Sequence, residues 1–130
     1  MRKKEYEIRY LPLFFEELDH DISYIVFELK NKLAANRLLD EVEAAILKRL
    51  EDGPESFETV YSRRNRKNPY YRIYVRKYVI YYVVLEERGK RIMEVRRFLH
   101  AREDRDYVIG FDKEKSLYEI RDNTHQRRNR

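Results

Sequence analysis

The sequence predicts an α+β domain: an N-terminal strand, a two-helix hairpin, then a three- to four-stranded antiparallel sheet. Two observations carry this. From Phe14 apolar residues recur at helical spacing as far as Gly53-Pro54 and at strand spacing after it, and Tyr78 to Leu85 is a near-continuous apolar run. Helices first and strands afterwards is the order of a domain whose helices cover one face of its sheet.

Tyr6, Ile8 and Tyr10 alternate with Glu7 and Arg9, which predicts the first strand. Pro12 suits a first helical turn, and Phe14, Leu18, Ile22, Ile25 and Leu29 then form one stripe, predicting a helix from about Pro12 to Lys30. Its acids, Glu16, Glu17 and Asp19, sit toward the N-terminal end, where the helix dipole favours them. After a break at Asn31-Lys32, Ala35, Leu38, Leu39, Val42, Ala45, Ile46 and Leu50 make the stripe of a second helix, which Gly53-Pro54 ends. So short a link predicts an antiparallel hairpin. Phe57, Thr59 and Tyr61 alternate as a short strand, and residues 62–69 read as a basic loop. Next, Tyr71, Ile73 and Val75 face one way and Arg72, Tyr74 and Arg76 the other. The run Tyr78–Leu85 predicts a central strand covered on both sides. Residues 86–90 form a hairpin turn. In the last strand, Arg91 to His100, we expect Met93, Val95 and Leu99 on one side, with Arg96 and His100 joining Arg72, Tyr74 and Arg76 on the open face. The domain spans 1–110, and residues 111–130 read as a polar basic tail.

Composition narrows the function classes. With no cysteine, the chain has no disulfide, thiolate nucleophile or cysteine-based zinc site. Three glycines leave no glycine-rich phosphate loop, and no Asp/Glu/His grouping has metal-ligand spacing, so neither metal nor cofactor is expected. No apolar run approaches the roughly 20 residues of a membrane span, and no signal-peptide pattern opens the chain, which reads as cytoplasmic. The net charge of +5 is concentrated: Thr59 to Leu85 holds seven Lys/Arg, seven of twelve tyrosines and no acid. Arginine offers forked donors to phosphate and tyrosine offers a stacking face, so a nucleic-acid-facing surface competes evenly with a tyrosine-rich sheet bearing a solvated charged face. Tyr78, Tyr81 and Tyr82 fit core positions better than a stacking platform.

Tyr10-Leu11-Pro12, the acidic first helix, Ala34-Ala35, Tyr71-Arg72-Ile73-Tyr74-Val75 and Tyr78-Val79-Ile80-Tyr81-Tyr82-Val83 together resemble the RelE/ParE family of bacterial toxins. Arg97-Phe98-Leu99-His100-Ala101-Arg102-Glu103-Asp104 is similar to the closing signature of that family. The resemblance covers roughly residues 5–109 and implies the toxin half of a type II toxin–antitoxin system. Members either cut mRNA on the ribosome without metal, as mRNA interferases, or poison DNA gyrase. A non-toxic member that only binds its antitoxin is a third possibility. The partner implied is an antitoxin, expected to offer an acidic helical segment to the basic face.

Metal-free cleavage needs a base for the 2′-hydroxyl, an acid for the leaving oxygen and cations around the phosphorane. His100 is the candidate acid or base, since imidazole titrates near neutral pH. Arg72 and Arg102 are candidate transition-state cations. Arg63, Arg64, Arg76, Lys77, Tyr74 and Tyr107 are candidates for holding RNA. Arg97 reads as a fold-stabilising ion pair, with Asp104 as a possible partner. Two positions depart from the ribonuclease pattern: Val79 follows Tyr78 where a basic residue is common, and Glu103 replaces the second arginine of the closing signature.

Overall fold

The structure, a computed structural model, describes residues 5–60 and 67–101. Strand β1 (Tyr6–Tyr10) leads into helix α1 (Pro12–Ser23), a π-helical turn (Tyr24–Glu28) and helix α2 (Lys32–Asp52). Strands β2 (Tyr71–Val75), β3 (Tyr78–Glu87) and β4 (Lys90–His100) follow, and the sheet order is β1-β4-β3-β2. The last three strands are antiparallel, while β1 runs parallel to β4. The connection that this parallel pair requires runs from β1 through the helix hairpin and then β2 and β3 before β4. The expected strand over 57–61 reduces to one bridge, Thr59 to Tyr71, and Tyr61 lies outside the described residues.

The helix boundaries follow local chemistry. Pro12 opens α1, where its missing N–H costs nothing. Asn31 caps α2 by accepting the Ala34 N–H at 3.0 Å. Gly53 ends α2 at φ 101°, and a side chain there would press on Ser56 Oγ at 2.9 Å. The single helix expected from Pro12 to Lys30 loosens into the π turn near its end. One added residue in that turn rotates the stripe off the core: Phe14 and Leu18 are buried, Ile22 and Ile25 half-buried, and Leu29 exposed. Leu39 is also exposed, because its neighbour Leu38 takes the inward position.

Two clusters sandwich the sheet. On the helix face Phe14, Leu18, Leu38, Val42 and Ile46 meet Ile73, Val75, Tyr78, Ile80, Tyr82, Met93, Val95 and Phe98. On the far face Val60 and Tyr70 cover Val79, Tyr81, Val83 and Leu99. Residues 79–83 of β3 are fully buried, as a strand covered on both sides must be.

Strand β4 carries the feature that sets the faces. Tyr81 pairs with Arg97 but Tyr82 pairs with Val95, so Arg96 is an extra residue in a β-bulge. The bulge reverses the alternation between Val95 and Leu99. Val95 and Phe98 belong to the helix-face cluster, while Leu99 belongs to the far one. The uniform face expected for Met93, Val95 and Leu99 is therefore divided.

Candidate functional site

The bulge moves His100. Its register partner is Tyr78, a member of the helix-face cluster, and the two rings meet edge-on at 5.5 Å. His100 thus lies on the helix face and not on the open face with Arg72, as alternation alone led us to expect. Arg76 leaves that face too. It is the turn residue between β2 and β3, held at φ 53°, and its guanidinium reaches across to α2, where it binds Glu41 at 2.7 Å. That pairing raises the pKa of Arg76 and lowers that of Glu41, in each case chiefly through the hydrogen bond between them.

These shifts assemble a cleft of about 490 Å³ between the π turn, α2, the β2–β3 turn and the end of β4. Ile25, Leu29, Leu38 and Tyr78 supply apolar walls, and Arg37, Arg76, Lys77 and His100 supply cationic or protonatable groups. Among the described residues, Asp21 is the one acid in its lining. Burial, and then the charge of Asp21, raise the Tyr78 hydroxyl pKa. The strand end at the cleft is tied down by Ala101, whose N–H donates to the Lys77 carbonyl at 2.6 Å.

Arg72 and Tyr74 occupy the other face. Arg72 pairs in register with Tyr81, a far-face residue, and its guanidinium carbon lies 5.7 Å from the Tyr74 ring centroid. Tyr74 is exposed. Nearby, Arg96 is held between Glu94 (2.7 Å) and the Tyr70 hydroxyl (3.2 Å). Arg102, Tyr107, Arg63 and Arg64 lie outside the described residues. Among the sequence-derived candidates, His100, Arg76 and Lys77 come together, whereas His100 and Arg72 are separated by the sheet. Sequence reasoning missed Arg37 and Asp21 as neighbours of His100. Nothing in their spacing signals a cleft that forms only when the hairpin docks.

Arg97 has the structural role expected but a different partner. Its guanidinium binds Glu17 of α1 at 2.7 Å, and Glu17 also accepts the Phe98 N–H at 2.9 Å. Strand β1 pairs with β4 only as far as Val95, so Glu17 satisfies a backbone donor that no strand meets. Asp104 lies outside the described residues.

Among the described residues no three His, Cys, Asp or Glu side chains gather as a metal site requires, and no helix is long and apolar enough to cross a membrane. A family model described as the ParE toxin of type II toxin–antitoxin systems, parDE, matches residues 8–105. No curated protein and no solved structure gives a significant match.

Proposed function

This chain belongs to the ParE toxin family of type II toxin–antitoxin systems, and on that premise we propose that it acts by binding DNA gyrase, without cutting nucleic acid. The observation supporting this reading is the separation of His100 from Arg72. An acid–base group and a transition-state cation must reach the same phosphorane within hydrogen-bond distance. A histidine and an arginine on opposite sheet faces do not converge in that way. A gyrase inhibitor needs no such convergence, only a surface complementary to its target. The far face, with Arg72 beside exposed Tyr74, is the surface we assign to that contact, and a gyrase target places the toxin in the cytoplasm.

The test is a supercoiling assay with purified gyrase and toxin. We expect inhibition by the wild-type chain and undiminished inhibition by His100→Ala. Normal supercoiling in the presence of the wild-type toxin would rule the reading out.

One observation favours a second reading. His100 shares its cleft with Arg37, Arg76 and Lys77, an arrangement that could serve metal-free mRNA cleavage with His100 as acid or base. In that case induced expression gives new codon-positioned cuts by primer extension. His100→Ala then lowers turnover by about 10² to 10⁴, the usual size of a lost acid–base contribution.

A further inference from the structure

Strand β1 is an edge of the sheet, and it reads Tyr6-Glu7-Ile8-Arg9-Tyr10. Its inner side pairs with β4, and the Leu11 N–H continues that ladder by donating to the Val95 carbonyl at 2.9 Å. Backbone groups alternate in direction along a strand, so Glu7 and Arg9 share the inward direction of Leu11. Tyr6, Ile8 and Tyr10 therefore aim their N–H and C=O groups outward, where no backbone group among the described residues meets them. Side chains alternate in the same step. Tyr6, Ile8 and Tyr10 pack against the helix-face cluster, while Glu7 pairs with Lys90 at 3.0 Å and Arg9 with Glu94 at 2.9 Å and Glu87 at 3.0 Å. Beside this edge on the hairpin side, Phe15 rests against Tyr10, ring centroids 5.2 Å apart, and is still 48% exposed. Leu47 is equally exposed, and it lies on α2 one turn beyond Glu43, whose charge reaches Tyr10, and one turn before Leu50, which lines a pocket with Tyr6.

We propose that two copies of this chain join through β1, antiparallel about a two-fold axis at Ile8, so that their four-stranded sheets become one of eight strands. The strand is complementary to itself in that arrangement. The axis sets Ile8 opposite Ile8, Tyr6 opposite Tyr10 and Glu7 opposite Arg9. Hydrogen-bonding parity agrees, because residues 6, 8 and 10 all point outward and each facing pair among them can exchange two N–H···O bonds. Glu7 and Arg9 fall at the intervening positions, where side chains approach most closely and opposite charges attract. Charge also fixes the register. A slip of two residues in one direction opposes Glu7 to Glu7, and in the other Arg9 to Arg9. A slip of one residue turns the tyrosines onto the charged face. Strand β1 lacks the devices that keep edges apart, since it holds no proline or lysine and its two charges cancel across the axis. The axis stands normal to the sheet, so both hairpins lie on one side and the exposed Phe15 and Leu47 of each copy come alongside the other. The opposite side of the joined sheet then carries both Arg72–Tyr74 surfaces. Two five-residue strands bury little area, so the dimer is a weak one that draws its apolar contact from those ledges.

The test is sedimentation equilibrium of the full chain alone over a concentration series, with amide hydrogen exchange read by NMR at both ends of the series. We expect a monomer–dimer equilibrium with its midpoint in roughly the micromolar range. On dimerisation the amides of Tyr6, Ile8 and Tyr10 should gain protection, whereas those of Glu7 and Arg9, already bonded to β4, should not change. Glu7→Arg, at an exposed position, sets arginine against Arg9 on both sides of the axis and should weaken the dimer roughly tenfold. Ile8→Pro removes one outward N–H and no bond to β4, and it should abolish the pairing. Circular dichroism checks that both variants fold. If Ile8→Pro does not, Glu7→Arg and the exchange pattern of the wild-type chain decide the matter. A chain that stays monomeric at every concentration would leave this edge to the strand of some other partner and overturn the proposal. A dimer indifferent to Glu7→Arg, or protection that arises away from residues 6, 8 and 10, would overturn it too. Gyrase is absent from this assay, so its outcome and that of the supercoiling test are independent.

Discussion

Glu94 shows how a buried charge can serve a fold. It is 1% exposed and on the far face, yet it binds Arg9 at 2.9 Å and Arg96 at 2.7 Å. Arg96 is the residue that the bulge adds, so Glu94 holds the bulge in place as well as satisfying two guanidiniums. Replacing it with leucine would leave Arg96 buried with Tyr70 as its remaining partner among the described residues, and we expect a loss of about 3–5 kcal/mol in urea unfolding, the usual cost of stranding one partner of a buried pair. Tyr82 makes a different kind of prediction. Its hydroxyl donates to the Pro54 carbonyl at 2.7 Å and accepts from Arg49 at 2.8 Å, and burial pushes its pKa from 10.0 up to about 12. A raised pKa means that the folded state holds its proton more tightly than the unfolded chain does. The resulting stabilisation is complete below pH 10 and is lost as pH rises toward about 12. Burial raises Tyr10, Tyr71 and Tyr78 as well, which steepens the fall. Urea midpoints across that window should drop in the wild-type chain and drop less in Tyr82→Phe. The burial of Tyr78 and Tyr82 was legible in the sequence, since they lie in an apolar run. Glu94 was not legible, because a lone acid in a strand gives no sign of the two arginines that the fold brings to it.

At the scale of elements, the sequence located every helix and strand of the sheet, because periodicity changes where the structure changes. It failed where one residue is inserted into a regular pattern. The bulge at Arg96 and the π turn at Tyr24–Glu28 each add a residue, and each turns the downstream side chains away from the face that strict alternation assigns. His100 and Leu99 follow the first error, Leu29 the second. The bulge residue Arg96 is held in part by Tyr70, distant in the chain, so local spacing carries no trace of it. Strand β2 contains no such defect and offers a clean test of the faces. Ile73 is 5% exposed on the helix face, while Tyr74, its neighbour, is 58% exposed on the other. Ile73→Ala should cost about 2–5 kcal/mol as a core truncation. Tyr74→Ala should stay within about 0.5 kcal/mol. Equal costs in chemical denaturation would mean that β2 packs with the opposite face inward.

For the whole molecule, the division of the basic excess between two faces matters more than its total. Composition suggested one continuous basic surface. The fold instead sends Arg76, Lys77 and His100 to the hairpin side and leaves Arg72 and Tyr74 on the far side. A single-surface toxin would lose target binding and antitoxin binding through the same substitutions. A two-faced toxin would not, and that difference is measurable. Arg72→Ala combined with Tyr74→Ala removes a charge and an exposed ring from the far face while leaving Ile73 and the cleft intact. We expect this variant to unfold at nearly the wild-type urea concentration and to lose most of its inhibition of gyrase supercoiling. Hot-spot pairs of arginine and an aromatic commonly carry a large share of an interface, so roughly tenfold or more in inhibitory concentration is a reasonable size for the loss. Unchanged inhibition would remove the far face from the target contact.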